Sequence, residues 1–287
     1  MAIDNFIAAV WAAQILAAMD TALVYAQDGI VNRDYEGDIR AAGDRVKINS
    51  IGDVTIKSYT KNTDIDAPEE LTAAQQELII DQAKYFNFAV DDVDRMQARP
   101  DVLAEAMRRS SYGLRNVADS YVAGQMKDNV PSGNSIGTEA APKQDLGTAG
   151  KAYEYLVDLG VLLDKTDTPT DGRWAAVAPW FHALLLKDDR FVKAGTARTD
   201  EVLRNGQVGE AAGFRIIKSN NVPKTTATTK FKILAGHAMA CSYAGEIIDP
   251  EAYRPERRFS DAVKGLMVYG FKVVRPAQIA VLIADSA

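Results

Sequence analysis

The sequence predicts an α+β chain, and three stretches predict it. Residues 101–127 (DVLAEAMRRSSYGLRNVADSYVAGQMK) carry the period of one long amphipathic helix. Residues 44–90 read as two strand-forming runs separated by a polar loop. The last third of the chain is a series of apolar strand runs ending in QIAVLIA. With 287 residues, the prior is about two domains.

The long helix is predicted to bury Leu103, Met107, Ser110, Leu114, Val117, Tyr121 and Met126, which recur every three to five residues. Arg108, Arg109, Arg115, Asp119 and Lys127 fall mostly elsewhere. Pro100 suits the first turn, where its missing N–H is no loss. Lys127 lies in the last turn, where a cation offsets the helix dipole. Gly113 and Gly124 each weaken the helix by about 1 kcal/mol relative to Ala, so packing must hold it.

Before this helix, Phe6 to Met19 is an uncharged run, with Ile3, Ile7, Trp11, Ile15 and Met19 forming an i, i+4 stripe. It lacks the basic start of a secretory signal, since Asp4 precedes it and the first cation is Arg33. It is also too short to span a bilayer. An amphipathic helix packing on its own or a neighbouring subunit is expected.

Between Gly29 and Gly52, Val46 and Ile48 alternate with charged residues, and Val54 and Ile56 do so again beyond Gly52. This spacing predicts two short strands around a turn. Lys61 to Glu70 is polar, acidic and interrupted by Pro68, the signature of an exposed loop. The chain then returns as a strand with Phe86, Phe88 and Val90 on one face. A two-stranded excursion of this size is only marginally stable in water, so it needs another surface to lie on. Asp91, Asp92 and Asp94 lack the ligand spacing of a calcium loop and fit a helix N-terminus.

Asn129 to Gly150 is a Gly-, Pro- and Ser-containing loop. A helix follows Thr148, with Tyr153, Leu156, Val157 and Leu159 apolar. WAAVAP reads as a short buried strand and WFHALLLK as another helix. Gly206, Gly209 and Gly213 do not have nucleotide-loop spacing and precede a strand, Phe214 to Lys218, so they predict tight turns instead. Phe231 to Pro250 is a buried strand pattern. Val268, Phe271, Val273, Ile279, Val281 and Ile283 are the expected apolar faces of the last strands.

Net charge is −6 and the sequence pI is about 5.1, which argues against nucleic acid as the main partner. The one cysteine, Cys241, excludes an internal disulfide framework and a multi-cysteine metal site. His182 and His237 are the only histidines, and neither has metal-ligand spacing. His237 sits in a buried strand pattern and reads as a satisfied core histidine. There is no G-x-S-x-G elbow and no P-loop. No catalytic, cofactor or metal residue is assigned. The residues singled out are charged: Asp64, Asp66, Glu69 and Glu70 in the excursion loop, and Arg254, Arg257 and Arg258, a basic knot suited to pairing with acids at an interface.

An apolar N-terminal helix, then VNRDYEGDIRAAGDRVKINSIG, KYFNFAVDDVD, the long helix, GQVGEAAGFRIIKSNNVP and finally YGFKVVRPAQIAVLIA stand in an order that resembles the major capsid proteins of tailed bacteriophages. These share the Hong Kong ninety-seven phage capsid fold, also found in encapsulins. The resemblance implies an N-terminal arm over residues 1–43 and an extended loop over 44–90 that lies on the adjacent subunit. It implies a peripheral domain over 91–145 with the long helix as its spine, an axial domain over 146–250, and return strands of the peripheral domain over 251–287.

It further implies a structural protein, not an enzyme, that self-assembles as hexamers and pentamers into an icosahedral shell around the phage genome. Cofactors are not expected. A separate scaffolding protein and a portal are expected partners, because the chain leaves no room for a long N-terminal scaffolding segment. Packaged DNA is expected to touch the shell only weakly and non-specifically, and no membrane is involved. Assembly is expected in the host cytoplasm, with the mature protein in the virion. No Lys, Asn and Glu set for a covalent cross-link is identified. An encapsulin-like shell and a soluble α/β enzyme are the alternatives.

Overall fold

The computed structural model of the chain describes residues 24–34, 45–51, 56, 58–59, 61–62, 64, 73–91, 102–147, 150–188, 209–225, 230–257 and 259–285. The N-terminal apolar stripe, Pro100, Asp92 and Asp94 lie outside these. Asp91 is the last residue of a strand.

The long helix is α1, Val102–Asp128, close to the predicted span. Its buried stripe is Met107, Ser111, Leu114, Ala118, Val122 and Met126, with Asp119 and Ala123 beside it. The predicted face is therefore turned by about one residue. Val117 is exposed, and Ser110 and Tyr121 are only partly buried. The reason is steric: Ala118 and Ala123 let the helix axis approach its sheet, and a reading that ranks bulk over closeness misses small residues.

α1 packs on one face of a three-stranded antiparallel sheet. It is built from β3 (Gln82–Asp91), β10 (Ser260–Val273) and β9 (Cys241–Tyr253), with β10 central. Phe86 and Phe88 of β3 and Met267, Tyr269 and Val273 of β10 share the core with α1. Val268 points the other way, not with Phe271 and Val273, as period-two alternation requires.

On that opposite face lies a two-stranded ribbon. β1 (Arg45–Ile51) pairs antiparallel with β2 (Ala73–Ile79), placing Val46 opposite Leu78 and Ile48 opposite Gln76. The partner of β1 comes from beyond the polar loop, and Val54, in the strand expected after Gly52, lies outside the described residues. Val46, Ile48, Leu78 and Ile80 form a small core with Ala244 and Val268, and Gln76 Nε2 donates to the Val274 carbonyl at 3.2 Å. The crossing is so close that a Cβ on Gly270 would stand 2.3 Å from the Ile79 carbonyl oxygen, so only glycine fits there. The ladder ends at Ile79, and β3 leaves the ribbon to join β10.

The second body is a mixed six-stranded sheet in the order β4-β11-β8-β5-β7-β6. Its strands are β4 (Ser135–Ile136), β5 (Arg173–Val177), β6 (Glu210–Ala211), β7 (Phe214–Lys218), β8 (Lys230–His237) and β11 (Ile279–Asp285). Two helices, α2 (Lys151–Asp164) and α3 (Pro179–Leu186), contribute Leu156, Leu159, Leu163, Phe181 and Leu185 to the core on one face. Trp174, Leu234, Ile279, Val281 and Ile283 on the other face join the core that holds α1. β5 and β11 are thus buried on both faces, which is why WAAVAP and IAVLIA are unbroken apolar runs. β6 and β7 are joined by Ala212 and Gly213 at φ 52 and 78, the positive values of a tight hairpin turn. The pairing cuts across the expected boundary at residue 250: β9 belongs with β10, while β11 belongs to the six-stranded sheet.

Candidate intersubunit site

Asp64 is exposed in the segment between β1 and β2, while Asp66, Glu69 and Glu70 lie outside the described residues. Arg254 and Arg257 are exposed in the β9–β10 turn, and Arg258 lies outside the described residues. Within one subunit the ribbon base and the arginine turn stand at different parts of β10. The ribbon base crosses at Gly270, and the arginine turn precedes Ser260, about 33 Å away at 3.3 Å per residue. Both ends carry unburied apolar side chains. Ile56 is 94% and Tyr59 73% exposed beyond the ribbon, and Phe259 is 82% exposed beside the arginines. Scattered exposed apolar residues need no explanation on their own.

The sheet end that carries the arginines is braced by a polar network. Asn87 Nδ2 donates to the Tyr253 hydroxyl at 3.0 Å, and Lys264 pairs with Glu251 at 2.8 Å beneath the Tyr253 ring. The Glu251 carboxylate holds the Lys264 ammonium above its ordinary pKa.

A second junction ties three distant segments. Asp119 Oδ1 accepts the backbone N–H groups of Val24 at 2.9 Å and Tyr25 at 2.6 Å, and its Oδ2 accepts from Asn221 Nδ2 at 3.1 Å. The carboxyl is only 2% exposed, and burial raises its pKa while these donors oppose the rise. Sequence reading set Asp119 off the apolar face. The signal that could have found it is its setting, with Ala118, Val122 and Ala123 at the neighbouring helical positions.

The histidines do not come together. His182 lies on α3, where burial, then nearby Lys218, lowers its pKa. His237 ends β8, its Nδ1 accepting the Met239 N–H at 3.1 Å and its Nε2 facing the Asp171 carbonyl at 2.9 Å. Both ring nitrogens thus have partners, the setting of a satisfied core histidine. Burial pushes the Cys241 thiol up, so it is an inert packing group. Among the described residues, no cluster of His, Cys, Asp or Glu could hold a metal, and no helix is long and apolar enough to cross a membrane.

Comparison with known proteins bears on this arrangement directly. The family model described as phage capsid protein matches residues 75–282. No curated protein sequence matches significantly. A solved structure from Mycobacterium phage Che8 is 28% identical, covers 91% of each chain and superposes with a TM-score of 0.70. The capsid structure of the cyanophage P-SCSP1u is 18% identical over 86% of this chain and 85% of that one, with a TM-score of 0.68. The holo-SrpI encapsulin complex from Synechococcus elongatus is more distant, at 15% identity over 86% and 84% of the chains and a TM-score of 0.55. The chain belongs to the phage capsid protein family and is a major capsid protein with the Hong Kong ninety-seven fold.

Proposed function

We propose that the subunit assembles as hexamers and pentamers into a closed icosahedral shell around phage DNA, with the β1–β2 ribbon laid on the neighbouring subunit. The supporting observation is the ribbon itself. Its base is packed on β9 and β10, while Ile56 and Tyr59 beyond it are exposed and have no core to enter. In this reading Asp64, Asp66, Glu69 and Glu70 meet Arg254, Arg257 and Arg258 of a neighbour. α1 and the three-stranded sheet form the peripheral domain, and the six-stranded sheet with α2 and α3 forms the axial domain.

The role is mechanical and not catalytic. A separate scaffolding protein and a portal act in assembly within the host cytoplasm, and packaged DNA makes weak, non-specific contact with the acidic shell. An encapsulin-like shell is the second reading, favoured by the encapsulin structure but at lower identity and similarity than the Che8 structure. Light scattering of the purified protein with scaffold supplied tests the main reading. Megadalton closed particles are expected, and a strict monomer under every such condition would defeat it. Encapsidated DNA, as opposed to a protein cargo, separates the two shells.

A further inference from the structure

A cavity of about 460 Å³ opens where the end of α1 meets β8, β11 and the loop after β4. Lys232 projects into it from β8 and is only 5% exposed. A lysine so deeply buried requires a counter-charge. It has one: Lys232 donates to the Glu139 carboxylate. The origin of that counter-charge is informative. Glu139 does not come from the core. It sits on the surface turn closed by the Thr138 N–H to Ala141 carbonyl bond at 3.1 Å, and its side chain is 54% exposed.

The surroundings are more basic than one lysine requires. Lys127 from the last turn of α1 lines the same cavity beside Asp128, and Lys230 Nζ donates to the Glu139 carbonyl at 2.8 Å. Three ammonium groups, those of Lys127, Lys230 and Lys232, therefore meet two carboxylates, Asp128 and Glu139, and the Glu139 pKa is lowered first by Lys232. Lys127 is partly engaged by Asp128 and by the C-terminal dipole of α1, so Lys232 is the principal cation. Ser132, Ser135 and Thr138 line the wall; the Ser135 hydroxyl donates to the Gly137 carbonyl at 3.2 Å, while Thr138 Oγ1 accepts the Ala141 N–H at 3.0 Å and keeps its own proton to donate. The space is larger than one carboxylate needs.

We propose that this cavity is an oxyanion site, in which Lys232 and Lys127 hold a carboxylate or phosphate group and Glu139 is the resident occupant in the isolated subunit. Because Glu139 reaches in from the surface, an external oxyanion exchanges with it without disturbing the core. The source is a free ion or an acidic side chain of a second copy.

Chemical rescue tests this. Glu139→Ala empties the site and leaves Lys232 unpaired, so the melting temperature of the soluble subunit falls. Acetate or phosphate at tens of millimolar, against potassium chloride of equal ionic strength, restores at least half of the loss. The double variant Glu139→Ala, Lys232→Met has no buried cation and shows no rescue. If the alanine variant is insoluble, Glu139→Gln removes the charge and keeps the shape, and phosphate then raises its melting temperature more than that of the wild type. The site is refuted by an unchanged melting temperature in both single variants, by equal rescue from chloride, or by undiminished rescue in the double variant. In shells of the alanine variant, stability regained without added anion identifies a neighbour's carboxylate as the source. Stability regained only on addition identifies a free ion.

Discussion

Asp119 shows how much a single residue can hold in this subunit. Its carboxylate ends the backbone donors of Val24 and Tyr25, and Tyr25 itself is fully buried in the core against α1. Asn221 brings the segment after β7 to the same point. Asp119→Ala strands these donors in a dry environment and should cost about 2–4 kcal/mol, read by urea denaturation of the soluble subunit. The pH dependence has a definite sign. The folded-state pKa is raised, chiefly by burial, so the neutral form is favoured on folding. The stability this group contributes is fully present below the unfolded value and is lost as pH rises through the folded one. Acidification from neutrality toward about pH 4 should therefore stabilise the wild type relative to Asp119→Asn. A difference that stays flat with pH would mean that the N–H donors cancel burial, and a loss of stability on acidification that they outweigh it.

At the level of elements, α1 makes two neighbouring residues respond in opposite directions. Leu114 is buried against the sheets, and Leu114→Ala should lower stability by about 2–5 kcal/mol. Gly113 faces outward, with nothing within 4 Å of where a Cβ would stand. Gly113→Ala should raise subunit stability by roughly 0.5–1 kcal/mol, because a helix-interior glycine gives up more chain entropy than alanine. Thermal melts of the two variants check both. A loss at Gly113 would show that the backbone there is under a constraint invisible in one subunit. The existence of α1 was legible because a period sustained over 27 residues leaves no other reading. Its face was less so, since Ala118 and Ala123 bury little area yet set the approach to the sheet. β11 was legible as an apolar run. The register of β1 on β2 was less so: β2 is AAQQELI, and among its described side chains Leu78 buries fully, followed by Ile80 beyond the strand. The Lys232–Glu139 pair was not legible, since its members are 93 residues apart and leave no spacing to read. Of the charged candidates, the type and sequence position were readable, but which groups meet depends on a second copy.

At the scale of the whole molecule, the two sheets and α1 share one continuous core, and the ribbon stands apart from it. Among the described residues its base is held by a small core of Val46, Ile48, Leu78, Ile80, Ala244 and Val268, with Leu266 and Val274 packed against it. Replacing residues 62–70 with a short Gly-Ser turn leaves those contacts, the Gln76 bond and the Gly270 crossing intact. The variant should thus remain soluble, with the melting temperature of the wild-type subunit. It removes four acids, Asp64, Asp66, Glu69 and Glu70, so a contact with the arginine turn of a neighbour is lost with them. Closed-shell formation, followed by light scattering and electron microscopy with scaffold supplied, should be blocked or shifted to higher protein concentration. Reversing the arginines, Arg254→Glu with Arg257→Glu, should impair assembly in the same way if the acids and arginines meet, and adding salt should weaken wild-type assembly more than that of either variant. Unfolding of the shortened subunit would assign residues 62–70 to the intramolecular core. Normal shells of unchanged stability would mean that the ribbon is not the clamp between subunits, and the contact would have to be sought on other exposed apolar ground, with Tyr85 and Phe259 on the three-stranded sheet as the next positions to change.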